Sequence, residues 1–111
     1  MKQIRFYQII TAISCLFLIS CGIEQNLKKA DKHLSLGEYY DAATQYKKVY
    51  TKTPTKERAA RGKVALKMAR CYDKINSTPK ALAAYSNAIR YKQADLNDRL
   101  AYARLLLKNG S

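Results

Sequence analysis

One histidine, no tryptophan and eight acidic residues against twenty-one basic ones narrow what this chain can do. With His33 alone, neither a histidine-based triad nor a multi-histidine metal site can be assembled, and on a mostly polar helix His33 reads as a surface residue. No glycine-rich phosphate loop occurs. The nearest paired acids, Asp95 and Asp98, stand at a helix start, where they complement its dipole. No catalytic residue, cofactor, metal or small-molecule substrate is therefore expected. Four glycines and two prolines are too few turn formers for an all-β chain. The shortage of acid leaves 111 residues with a formal charge of +13, a balance that suits nucleic acid, anionic lipid or an acidic partner.

What is present begins at the N-terminus. Lys2 and Arg5 precede an uncharged, mostly apolar run from Ile9 to Ile19. A bilayer span needs about 20 apolar residues, whereas the apolar region of an export signal takes about 7–15. The run has the second length and not the first. Leu18-Ile19-Ser20-Cys21 then resembles the lipobox of bacterial lipoproteins. That resemblance implies a diacylglyceryl thioether on Cys21 and cleavage just before it, so residues 1–20 are expected as signal and 21–25 as a lipidated tether. Cys15 would leave with the signal, which makes Cys71 the one remaining thiol and excludes an internal disulfide. Cys71 lies in an apolar helical pattern and is expected as a buried structural residue. Gly22 rather than Asp follows the cysteine, and no acidic run comes after it, which favours the periplasmic face of the outer membrane. An exported protein does not normally meet nucleic acid. The basic surface then points to lipid headgroups, cell-wall polymer or an acidic protein.

From residue 26 onward apolar residues recur at helical spacing. Helices are expected over 25–36, 38–52, 56–75, 79–92 and 95–108. Gly37 and Asn109-Gly110 are turn signals. Pro54 ends the second helix with Thr55 as cap of the third, and Thr78 with Pro79 opens the fourth.

The segments "LGEYYDAATQYKKVY" and "INSTPKALAAYSNAI" superpose at one constant offset: Gly37 on Asn76, Ala42 on Ala81, Tyr46 on Tyr85, Val49 on Ala88. The step from Asn76 to Gly110 is slightly shorter. These residues resemble tetratricopeptide repeats, pairs of antiparallel helices about 34 residues long. Gly37, Ala42, Tyr46, Val49 and Pro54 follow the pattern in one unit. Ala69, Tyr72, Asn76, Ala81, Tyr85 and Ala88 follow it in the next, without the closing proline. The fold expected is all-α, a short tetratricopeptide solenoid over 26–111 with an incomplete third repeat opened by Ala103. Small side chains at 42 and 81 let paired helices cross closely, and the tyrosines fill the space between pairs. The excess length of the first interval is assigned to "TPTKE" and an extended third helix. The last helix shows an apolar face (Leu100, Ala103, Leu106) without a partner helix, so the chain is expected to be the front of a longer protein or to end on a capping helix.

The third helix carries Lys63, Lys67, Arg70 and Lys74 on one face. The resemblance places Lys63, Leu66, Lys67, Arg70, Asp73 and Lys74 in the concave groove of such an array, a basic groove suited to an acidic peptide or chain terminus; a solvated charged face is the alternative. Leu27 and Asp31 stand where the carboxylate clamp of chaperone-binding members has other residues. Over most of 24–110 the chain also resembles the start of PorE-type lipoproteins of the type IX secretion system, through "KTP" at 52–54, "MARCY" at 68–72, "KIN" at 74–76 and "AIRYK" at 88–92. That family implies an envelope docking module followed by a propeller and an OmpA-like domain, with peptidoglycan bound only by the latter. A substrate-capture or outer-membrane biogenesis lipoprotein is the alternative.

Overall fold

The computed structural model describes residues 22–110; the expected signal, Cys21 and Ser111 lie outside them. Five helices and no strand are found among the described residues: α1 over 22–35, α2 Tyr39–Lys52, α3 Arg58–Lys74, α4 Thr78–Arg90 and α5 Leu96–Lys108. Successive helices run antiparallel and pack on their neighbours, giving a small helical-repeat fold of stacked pairs.

The turns share one device. At Gly37 and Asn76 the backbone is left-handed, with φ of 75° and 59°. In each the amide after that residue returns to a carbonyl near the helix end, Glu38 to His33 and Ser77 to Tyr72. This closes the helix by satisfying carbonyls that have no intrahelical donor. Lys92 does the same after α4, with φ of 60° and Gln93 returning to Ala88. No sequence signal marks Lys92, because a non-glycine residue rarely adopts this conformation.

The α2–α3 connection differs from expectation. Thr55 is not a cap: Pro54 to Glu57 form a turn closed by the Glu57 amide on the Pro54 carbonyl at 3.0 Å, and α3 starts at Arg58. The end of α2 is instead held from α3, where Arg61 donates to the carbonyls of Thr53 (2.7 Å) and Tyr50 (3.1 Å) and stacks on the Tyr50 ring. Arg61→Ala would strip Thr53, which is buried, of this donor, and should cost about 1–3 kcal/mol in chemical denaturation.

Ser77 rather than Thr78 is the N-cap of α4, with Pro79 in the first turn. Residues 22–25 are helical and continuous with α1. Ile23 and Leu27, four apart on α1, both pack against the core, and that contact extends the helix back toward Cys21.

At the centre lie Ala30, Ala42, Tyr46, Val49, Ala69, Cys71, Tyr72, Ala81, Tyr85 and Ala88, all buried. The alanines stand at the helix crossings, where any larger side chain would separate the axes. Ala30 escaped the sequence reading, although it precedes Ala69 by the same interval that separates Ala42 from Ala81. Gly62 is the tightest approach: a Cβ there would lie 2.5 Å from Gln93 Cγ and 2.8 Å from Tyr91 Cβ. The first turns of α3, longer than its neighbours at 17 residues, thus pass directly beneath the α4–α5 connection.

Candidate docking groove

Helices α1, α3 and α5 share one face, and ionic contacts stitch them across it. Lys67 of α3 reaches Asp31 of α1 at 3.2 Å, while lying over the Tyr46 ring. The same Asp31 oxygen accepts the Tyr46 hydroxyl from α2. On the other side Arg70 binds Asp98 of α5 with both carboxylate oxygens engaged, at 3.0–3.2 Å. Asp73 pairs with Arg104 at 3.5 Å.

Asp98 therefore serves two purposes. Its carboxylate also accepts the Asp95 amide at 3.1 Å, and its own amide donates to the Asp95 carboxylate at 2.8 Å, a reciprocal capping box. The Asp98 amide, first among several donors, holds the Asp95 carboxyl below its ordinary value.

Between α1 and α3 this face opens into a cleft of about 470 Å³. Its walls are Ile23 and Leu27 from α1, Val49 and Pro54 at the end of α2, and Ala60 and Val64 from α3. Lys63, Lys67 and Glu57 supply the charge.

The six residues assigned to the groove thus divide, Asp73 among them being paired with Arg104 of α5. Lys63 and Lys67 line the cleft; Leu66 is half-buried against the core. Arg70 lies on the α5 side, tied to Asp98, and Lys74 is exposed in the last turn of α3. The apolar floor beside the lysines is unforeseen, because the sequence presents Ile23 as part of a tether and Leu27 as a departure from a clamp. The 23/27 spacing is the signal that could have revealed it.

Burial governs the titrating groups of the core. Desolvation pushes the Cys71 thiol and the Tyr72 and Tyr85 phenols upward, and for Tyr46 the bond to Asp31 adds to the same effect. A group held neutral in the fold contributes stability that is complete below its unfolded value. That contribution falls away as the pH climbs from the unfolded toward the folded value. The unfolded values are 9.0 for Cys71 and 10.0 for the tyrosines. From neutral pH upward, stability should therefore hold to about pH 9 and decline steeply above it, as read by circular dichroism. Tyr91 moves the opposite way, because Arg61 donates to its oxygen, but it lies at the surface and offsets little. Cys71, 1% exposed, should not react with thiol reagents until the chain unfolds.

At the α1–α2 corner His33 Nδ1 lies 3.0 Å from Glu38, with Asp41 nearby. The ring contact to Glu38 accounts for that grouping. Among the described residues no helix is long and apolar enough to cross a membrane. Compared with family profiles, characterised proteins and solved structures, the chain matches none.

Proposed function

We propose that this chain is a lipid-anchored docking module of the bacterial envelope, held through Cys21 at the periplasmic face of the outer membrane. The cleft between α1 and α3 carries the reading: an open apolar floor with two lysines at its side fits an acidic partner segment that also presents aliphatic side chains. Hydrophobic burial would supply most of the affinity and charge complementarity the register. Lys67 already has Asp31 as its partner, so the ammonium of Lys63 is the freer of the two for an incoming carboxylate. The partner class proposed is a protein of the envelope or of a secretion assembly, in keeping with the resemblance to PorE-type lipoproteins. Peptidoglycan contact would fall to an OmpA-like domain and not to these helices, and no catalysis is assigned to them.

The test uses a photo-crosslinking residue in place of Ala60, which lines the cleft, or of Ala83, which is exposed on α4. In living cells a discrete adduct with one envelope protein is expected from position 60 and not from 83. Lys63→Glu with Lys67→Glu should reduce it at least fivefold. No adduct at 60, or equal adducts at both positions, would refute cleft docking.

A further inference from the structure

The antiparallel topology gathers cations at one end of the bundle. That end contains the described start of α1, the α2–α3 connection and the α4–α5 connection, brought together by contacts of Arg58 with the Arg90 carbonyl and of Arg61 with Tyr91. Ile23 joins them through the wall it shares with Pro54 and Glu57. Six cations lie here, Lys52, Lys56, Arg58, Arg61, Arg90 and Lys92, with Glu24, Glu57 and Asp95 as the acids. At the opposite end, the α1–α2 and α3–α4 turns and the close of α5 place Lys32, Lys74, Lys80 and Lys108 with Glu38 and Asp41.

The six cations are not neutralised by ion pairs among the described residues. The structure's ion pairs engage other cations: Lys28, His33, Lys67, Arg70 and Arg104. Glu24 is taken by Lys28, and Asp95 is occupied by the capping box. The three guanidinium groups crowd one phenol: Arg58, Arg61 and Arg90 lie 5.2, 6.0 and 5.3 Å from the centre of the Tyr91 ring. Such fixed like charges repel one another unless an anion lies between or beside them. Lys52, Lys56, Arg58, Arg90 and Lys92 are all exposed.

We infer that this end is a membrane-facing surface that rests on the phosphates of anionic lipid headgroups. The inference rests on the membrane-anchored reading in one respect only, that Cys21, one bond from Gly22, holds this end near a bilayer. The sign of the charge and its clustering around Tyr91 stand independently. Clustered Lys and Arg are drawn to anionic lipid surfaces over about a Debye length. An anchor would fix one point of the molecule, and the cationic end would fix its tilt. The α1–α3–α5 face, which runs between the two ends, would then stand open sideways to a partner.

The experiment measures partitioning of the full chain into phosphatidylcholine vesicles, with and without phosphatidylglycerol as the minor component, at low and high salt. The ratio between the two vesicle types cancels the apolar contribution of the N-terminal segment, and the contribution of Lys2 and Arg5 is common to wild type and both triple variants. Wild type should prefer the anionic vesicles by about tenfold or more, with the preference lost in high salt. Lys52→Glu, Lys56→Glu and Lys92→Glu together should abolish it. Lys32→Glu, Lys74→Glu and Lys108→Glu, the same change in charge at the opposite end, should leave it within threefold. All six positions are exposed, and circular dichroism verifies folding. No preference in wild type, or equal loss in both triple variants, would overturn the proposal. Binding to phosphatidylcholine alone reports on the anchor separately, so a failed anchor and a failed charged end give different results.

Discussion

Replacing Tyr46 by alanine should destabilise the protein by about 3–5 kcal/mol, the usual range for deleting a large buried side chain. Tyr46 is completely buried in α2, and few side chains of its size in this core are so enclosed. It makes three contacts at once. Its ring fills the space between helix pairs, its hydroxyl donates to Asp31 of α1, and its face receives Lys67 of α3. Small domains are stable by only about 5–15 kcal/mol, so the variant should be partly unfolded at physiological temperature. Tyr46→Phe separates the contributions. It keeps the packing and removes one hydrogen bond to a carboxylate that is half exposed and still holds Lys67. A loss of about 1 kcal/mol is expected. Urea titrations of the two variants check both values; equal losses would mean that the hydroxyl, and not the ring, carries the effect.

The second large effect belongs to Asp98. Asp98→Ala removes the acceptor for Arg70 and half of the capping box together, at a side chain only 6% exposed. A cap is worth about 1 kcal/mol and a charge-assisted pair about 1.5–3 kcal/mol. Arg70 is itself 53% exposed and screened by solvent. The combined loss should therefore be about 2–3 kcal/mol. Asp98→Asn should fall between this variant and wild type. Hydrogen exchange should locate the damage in α5, whose first turn loses its cap, with α2 and α3 still protected. Uniform loss of protection would show that α5 is integral to the core and not docked through this contact.

These two residues also illustrate what could be read in the amino-acid order. Tyr46, with Ala42 and Val49, follows a periodic packing rule that repeats in Ala81, Tyr85 and Ala88, and such regularity is visible in one dimension. Gly37, Asn76 and Gly110 were legible as helix ends because few residue types accept a left-handed backbone. Lys92 was not, because a lysine rarely adopts a left-handed backbone and nothing in its residue type marks the turn. Asp98 could be placed at a helix start, yet its tie to Arg70, distant in the chain, depends on how α5 leans on α3. Nothing in the order of residues marks Arg61, which closes the end of α2 through the Tyr50 and Thr53 carbonyls. The groove was legible as a stripe of lysines and arginines. Its division into a cleft with Lys63 and Lys67 and a braced section at Arg70 required the positions of α1 and α5.

The apolar residues left on the outer side of α5 follow the same logic. Leu96, Leu100 and Leu107 are 72%, 59% and 77% exposed, while Leu105 is buried and Leu106 half-buried. The expected open face of this helix is therefore present at Leu100 and Ala103, with Leu106 turned partly inward against the fold.

Membrane attachment through Cys21 underlies both the docking reading and the orientation of the basic end, and it is open to one direct measurement. The mature protein is extracted from the outer-membrane fraction and its intact mass and N-terminal peptide are determined. Lipid anchoring requires a chain that begins at Cys21, heavier than its amino-acid sequence by a thioether-linked diacylglyceryl group, and lost to the soluble fraction on Cys21→Ala. A chain that retains residues 1–20, or one cut elsewhere with an unmodified Cys21, would contradict it.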